Sequence, residues 1–206
     1  MTGSVALGRQ GKGRIIRTRG ERGSDAPGAG TMGITLFLVS LSILFIGSVV
    51  AVVWVRARAD DWPPPGAPDL PHLLWLSTAL LVGCSLAIHS AVAAIRRGDR
   101  RGLQQRLLWT AGLATLFLVS QAAGWFQFYD AAVFESHLYG FTFYVLTGLH
   151  AAHVIGGIVA LAVVMVMTYR GSFSWAHYTG IRNTAIYWHF LDGVWLVLFG
   201  FLLAAG

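Results

Sequence analysis

Five stretches of this chain are apolar and about as long as a membrane is thick: Met32–Val55, Leu73–Ile95, Leu107–Phe128, Tyr139–Tyr169 and Ala185–Ala205. A helix crossing a hydrocarbon core of about 30 Å needs about 20 such residues. Composition points the same way, with 55% hydrophobic and 12% charged residues and a mean hydropathy of +0.62. A soluble domain needs more charge than this to cover its surface. The five runs leave little chain for a separate soluble module. They predict an all-α fold, an integral membrane five-helix transmembrane bundle over residues 32–206. Residues 1–31, rich in Gly and Arg and without an apolar period, read as a flexible basic tail. The run after the tail exceeds the apolar core of a secretory signal, about 7–15 residues, so it is expected to remain as a span. Met32, the first residue of that run, is an alternative start.

The basic pI, about 10.1, suggests nucleic acid until the charges are placed. Six basic residues lie in the tail, Arg96, Arg97, Arg100, Arg101 and Arg106 in the second loop, and Arg170 and Arg182 in the fourth. Only Arg56 and Arg58 lie on the other side. This alternation follows the positive-inside rule over five spans. It predicts a cytoplasmic N-terminus, an outside C-terminus and no nucleic-acid partner. Arg96 and Arg97 are placed at the lipid surface. Trp62, beside the prolines that end the first helical hairpin, suits the headgroup level, and Trp188 is also assigned to the lipid interface. Pro63–Pro65 favour an extended segment. Trp125, Phe126, Phe128, Tyr129 and Tyr139 are expected to form an aromatic belt near the acidic third loop, which holds Asp130 and Glu135. The single cysteine, Cys84, lies inside the second span and reads as a small buried apolar side chain.

The polar residues inside the spans carry the functional question, because ionisable groups are costly there. His89, His150, His153, His189 and Asp192 form the expected intramembrane polar cluster. His189 and Asp192 are i and i+3, as are His150 and His153, so each pair is expected on one helix face. His89 and His189 are the expected donors to Asp192, pinning the second span to the fifth. Gln121, on the third span, is a candidate hydrogen-bond partner of the His150–His153 pair. Gly148, Gly156 and Gly157 permit close helix approach. Interhelical hydrogen bonding, metal or haem ligation and proton handling by titrating histidines all remain open on the residues alone. A zinc site needs three or four converging ligands, and no metal site is assigned. There is no serine–histidine–acid set, no phosphate-cradling glycine loop and no CxxC, so no catalytic residue is assigned.

Several segments together resemble the five-helix form of subunit III of haem-copper terminal oxidases, the cytochrome c and quinol oxidases. They are Met32-Gly33-Ile34-Thr35-Leu36-Phe37, Asp61-Trp62-Pro63-Pro64-Pro65-Gly66, Arg96-Arg97-Gly98-Asp99-Arg100, Thr147-Gly148-Leu149-His150-Ala151-Ala152-His153-Val154 and Tyr187-Trp188-His189-Phe190-Leu191-Asp192. The last two are the most specific, and the likeness runs from Met32 to the C-terminus. It implies a multi-pass subunit of the bacterial plasma membrane, beside a catalytic subunit I and a subunit II. It implies haem and copper in the catalytic subunit, no redox centre in this chain, and phospholipid held in a cleft between helices. The implied role is support of assembly, lipid binding and sustained turnover of a complex that reduces dioxygen and pumps protons. Two departures weaken a proton-relay role. Leu41 stands where the family's first helix usually has a carboxylate. Ala123-Gly124-Trp125 stands where the third often has a Glu. The alternatives are a subunit-III-like protein of a nitric oxide reductase system, or a small haem-binding membrane cytochrome. A transporter fits poorly, because inverted repeats and interrupted helices are missing from the sequence.

Overall fold

A computed structural model of the protein describes residues 29–62, 70–130, 138–173 and 178–205. These form five α-helices: α1 Ala29–Arg56, α2 Leu73–Arg96, α3 Arg100–Asp130, α4 Leu138–Tyr169 and α5 Thr179–Ala205. Among the described residues there is no strand. Tail residues 1–28, the proline segment and Glu135 lie outside them. All five helices are long and apolar enough to cross a membrane. A backbone in hydrocarbon must satisfy its own N–H and C=O groups, so a continuous apolar run becomes a helix.

α1, α3 and α5 start three or more residues earlier than their apolar runs. α3 begins at Arg100 rather than Leu107, and the second turn shrinks to residues 97–99. Asp99 caps the new start, its Oδ1 accepting the Gly102 backbone N–H at 2.8 Å. Before it, Gly98 at φ +73° closes α2 while the Asp99 N–H reaches the Ala94 carbonyl. Gly171 at φ +75° ends α4 in the same way, with the Ser172 N–H on the Met167 carbonyl. α5 begins at Thr179 rather than Ala185. Its polar first turns are held by α1: Arg182 Nη2 donates to Thr31 Oγ1 at 2.7 Å and Asn183 Nδ2 to the Gly30 carbonyl at 3.1 Å. α1 itself begins three residues before Met32, inside the stretch read as tail.

α2, α3, α4 and α5 close into a ring, each packing on the next and α5 returning to α2. α1 lies outside the ring against α5 and α4. Its most apolar window is only 17% buried, against 33–44% for the others, which leaves it the least enclosed helix. The chain runs alternately up and down. Arg96, Arg97, Arg100, Arg101, Arg170 and Arg182 therefore gather at one end, while Arg56 reaches the Ala204 carbonyl at the other.

Hydrophobic burial adds little to helix association in lipid, so close packing and hydrogen bonds must supply it. Ser77 pairs with Ser120 across α2 and α3 at 2.8 Å. Trp195 Nε1 donates to Thr78 Oγ1 across α5 and α2 at 3.0 Å. Trp125 Nε1 donates to Thr147 Oγ1 at 3.0 Å, and the Tyr144 hydroxyl to the Trp125 carbonyl at 2.8 Å, across α3 and α4. The Tyr187 hydroxyl donates to the His153 carbonyl at 2.8 Å across α5 and α4. Close approach is concentrated at Gly157, where a Cβ would stand 3.1 Å from Tyr187 Cε1 and 3.2 Å from Trp188 Cζ2. Gly156 and Gly148 are approached less closely, by the Tyr187 hydroxyl at 3.8 Å and Trp125 Cζ2 at 4.0 Å. The aromatic belt is split: Phe126 and Tyr129 face outward, whereas Phe128 and Tyr139 are buried. Phe128 stacks on Phe143 at 4.4 Å, and Trp62 meets Tyr139 edge-on at 5.1 Å.

Gly157→Val is expected to destabilise the α4–α5 contact by about 1–3 kcal/mol through overpacking. Gly148→Ala, in ordinary van der Waals space, should be neutral or stabilising. Thermal melts of the detergent-solubilised protein compare the two.

Candidate functional site

The five polar positions fall into two groups, and in each the i, i+3 partners diverge. Three residues span about 300° of helix, so i and i+3 point about 60° apart. At a helix–helix seam that is enough to send one residue outward and its partner inward.

The first group lies between α2 and α5. Asp192 turns inward and is buried, while His189 and His89 lie on the outer surface, ring centroids 6.0 Å apart. The expected bonds from the two imidazoles to Asp192 do not form. The Ser85 hydroxyl takes the His189 ring instead, at 2.6 Å from Nδ1. Ser85 also faces Asp192, but neither carboxylate oxygen accepts a well-formed hydrogen bond. Beneath them Cys84 is fully buried, its thiol 3.5 Å from the Thr110 carbonyl. Ser85 is the residue that the sequence reading missed. Its spacing of four from His89 on one helix was the available signal.

The second group lies inside the ring. His150 is wholly buried among Trp195, Phe117 and Phe45, at centroid distances of 5.1, 5.8 and 6.2 Å. Gln121 is also buried but is not its hydrogen-bond partner. Neither ring nitrogen of His150 nor either amide atom of Gln121 is hydrogen-bonded, and the same holds for Trp188 Nε1. Burying a polar group unpaired costs about 1–3 kcal/mol in proteins. His153 is half-buried at the α1 seam, beside Phe45 at 5.1 Å, with Nδ1 against the Leu149 carbonyl at 2.7 Å.

Arg96 and Arg97 are exposed at the end of α2, and Trp62 is half-buried. Trp188 does not belong with them. It is wholly buried beneath Gly157, because its position on α5 faces α4 rather than lipid. An apolar groove of about 510 Å³ runs between α1 and α5, lined by Phe45, Val49, Val50, Phe190, Val194 and Val197. Leu41 is buried in the core near this seam. Among the described residues, no three His, Cys, Asp or Glu side chains converge. What the geometry does provide is helix–helix ties, an apolar groove between α1 and α5, and a basic end.

Removing the Ser85–His189 bond by Ser85→Ala should cost about 0.5–1.5 kcal/mol, as for an ordinary hydrogen bond. Asp192→Asn should cost less, because it removes charge from a carboxylate that accepts no well-formed bond. A melt in which Asp192→Asn is the more damaging change would reverse this assignment.

The family profile for cytochrome c oxidase subunit III matches residues 22–205. A protein named cytochrome c oxidase subunit 3 from Synechocystis sp. is 36% identical over 169 residues, covering 81% of this chain and 72% of that protein. Its namesake from Thermostichus vulcanus is 30% identical over 180 residues, covering 86% and 88%. That from Corynebacterium diphtheriae is 32% identical over 181 residues, covering 85% and 87%.

Proposed function

We propose a role from one premise: the chain belongs to the cytochrome c oxidase subunit III family. It is a non-catalytic membrane subunit of a respiratory oxidase, seated in the bacterial plasma membrane beside the catalytic subunit I and subunit II. Those partners hold the haem and copper, and cytochrome c is the electron donor. This chain contributes no redox centre. The basic end faces the cytoplasm, in keeping with the positive-inside distribution.

The observation that carries this reading is where the intramembrane polar side chains go. Ser77, Ser85, Thr78, Trp125, Thr147, Tyr187 and Trp195 tie neighbouring helices to one another. Such a bundle supports a partner by offering it a fixed surface. Leu41 and Gly124, where carboxylates are usual in the family, favour assembly and lipid binding over proton relay. The α1–α5 groove is walled by apolar side chains and opens sideways, which suits the acyl chain of a phospholipid.

Membranes from cells lacking this chain should keep the haem spectrum of the oxidase while its activity decays faster during sustained turnover. Supplying the chain in trans should restore the lifetime. Unchanged oxidase yield and unchanged lifetime without the chain would overturn the reading.

A further inference from the structure

Three hydrogen bonds join the ring helices in the half of the bundle away from the basic end. Ser120 is tied to Ser77, Trp195 to Thr78 and Trp125 to Thr147. Two side chains enclosed among these ties are left out. His150 and Gln121 are 0% and 1% exposed. Among the described residues, neither ring nitrogen and neither amide atom has a hydrogen-bond partner.

The Trp125–Thr147 bond sets these two side chains at one depth. α3 and α4 are antiparallel neighbours, so residues before Trp125 and residues after Thr147 lie on the same side of that bond. Gln121 is four residues before Trp125, about 6 Å along α3, and His150 is three after Thr147, about 4.5 Å along α4. Phe117, one turn beyond Gln121 on the same face of α3, meets the His150 ring edge-on at 5.8 Å. Gln121 thus stands between two α3 residues that both reach α4, Trp125 at Thr147 and Phe117 at His150. The Trp195 and Phe45 rings cover other sides of the imidazole. The remaining unpaired buried atoms lie apart from this pair. Asp192 faces Ser85, Asn183 belongs to the first turns of α5, and Trp188 lies beneath Gly157, about 10 Å along α4 from His150.

A buried imidazole and a buried amide, each unpaired, carry a cost that a shared partner removes. A neutral imidazole offers one donor and one acceptor, and the amide offers two N–H groups and an oxygen. The partner must therefore donate and accept at once, as water does whichever way the ring and the amide are turned. An anion finds no counter-charge here, because every Arg of the four ring helices, Arg96, Arg100, Arg101, Arg106 and Arg182, lies toward the basic end. A metal ion finds no third ligand, since no three His, Cys, Asp or Glu side chains converge among the described residues.

We propose that a single water molecule is bound inside the ring between His150 and Gln121, joining α4 to α3. It is a structural water of the kind that bonds to two or more otherwise unpaired buried groups. It continues the α3–α4 seam one turn inward from the Trp125–Thr147 bond and makes His150 a packing residue.

The test is a cryo-EM map, at a resolution that shows ordered water, of the protein extracted in mild detergent with its partners and purified through a tag on this chain. The wild type should show one water-sized peak about 2.7–3.2 Å from a His150 ring nitrogen and from a Gln121 amide atom. Thermal melts of Gln121→Leu, His150→Leu and the double variant supply the second readout. Each single change leaves its partner unpaired and should lower the melting temperature by about 2–4 °C. The double change removes both polar groups, so its loss should be smaller than the sum of the two. Where a variant fails to assemble, the wild-type map decides alone. A direct bond between imidazole and amide, no density between them, or density too large for water would overturn the site. So would single variants that each raise the melting temperature and add in the double, the mark of two independent unpaired groups.

Discussion

Inside a bilayer there is no water to complete a hydrogen bond, and the rest of this structure follows from that. It forces the backbone into helices, five among the described residues. It also leaves each intramembrane hydroxyl, indole and imidazole three outcomes: a bond to its own helix, as for Ser42 and Thr115, a tie to a neighbour, or a standing cost. The ring of α2, α3, α4 and α5 is stitched at every seam, by Ser77–Ser120, Trp125–Thr147, Tyr187–His153 and the paired ties Trp195–Thr78 and Ser85–His189. Gly157 then lets Tyr187 and Trp188 lie flat enough on α4 for the Tyr187 bond to form. α1 joins mainly through its polar start and the Phe45 ring, and an apolar groove remains beside it.

The same constraint governs what the sequence discloses. Length and hydropathy identify five spans and their order, because apolar runs of this length have few alternatives. They do not identify helix ends that continue past the hydrocarbon. Arg100–Arg106 and Thr179–Thr184 are polar yet helical, held by the Asp99 cap and by bonds to the start of α1. Nor do they fix rotation about a helix axis. With no strong apolar stripe separating lipid from core, Trp188 reads as readily outward as inward. The i, i+3 pairs read as shared faces, although a rotation of about 60° separates their members. Ser85, a modest hydroxyl among apolar residues, becomes meaningful only when the opposing helix is known.

Family membership and packing point to the same division of labour. The relatives are named as oxidase subunits. In this chain a subset of the polar groups in the spans, among them Ser77, Ser85, Trp125, Tyr187 and Trp195, holds helices together. Leu41 fills the core, and Gly124 lies near Pro71 and Leu73. His150 and Gln121 stand apart, buried and unbonded in the middle of the ring.

The central claim is that the histidines of this bundle serve packing while the redox chemistry belongs to a partner. Its most direct test is a reduced-minus-oxidised spectrum, taken on the affinity-purified complex and again on this chain after separation from it. Haem bands are expected in the complex, and none in the isolated chain. Bands retained by the isolated chain would contradict the claim and make it a cytochrome in its own right.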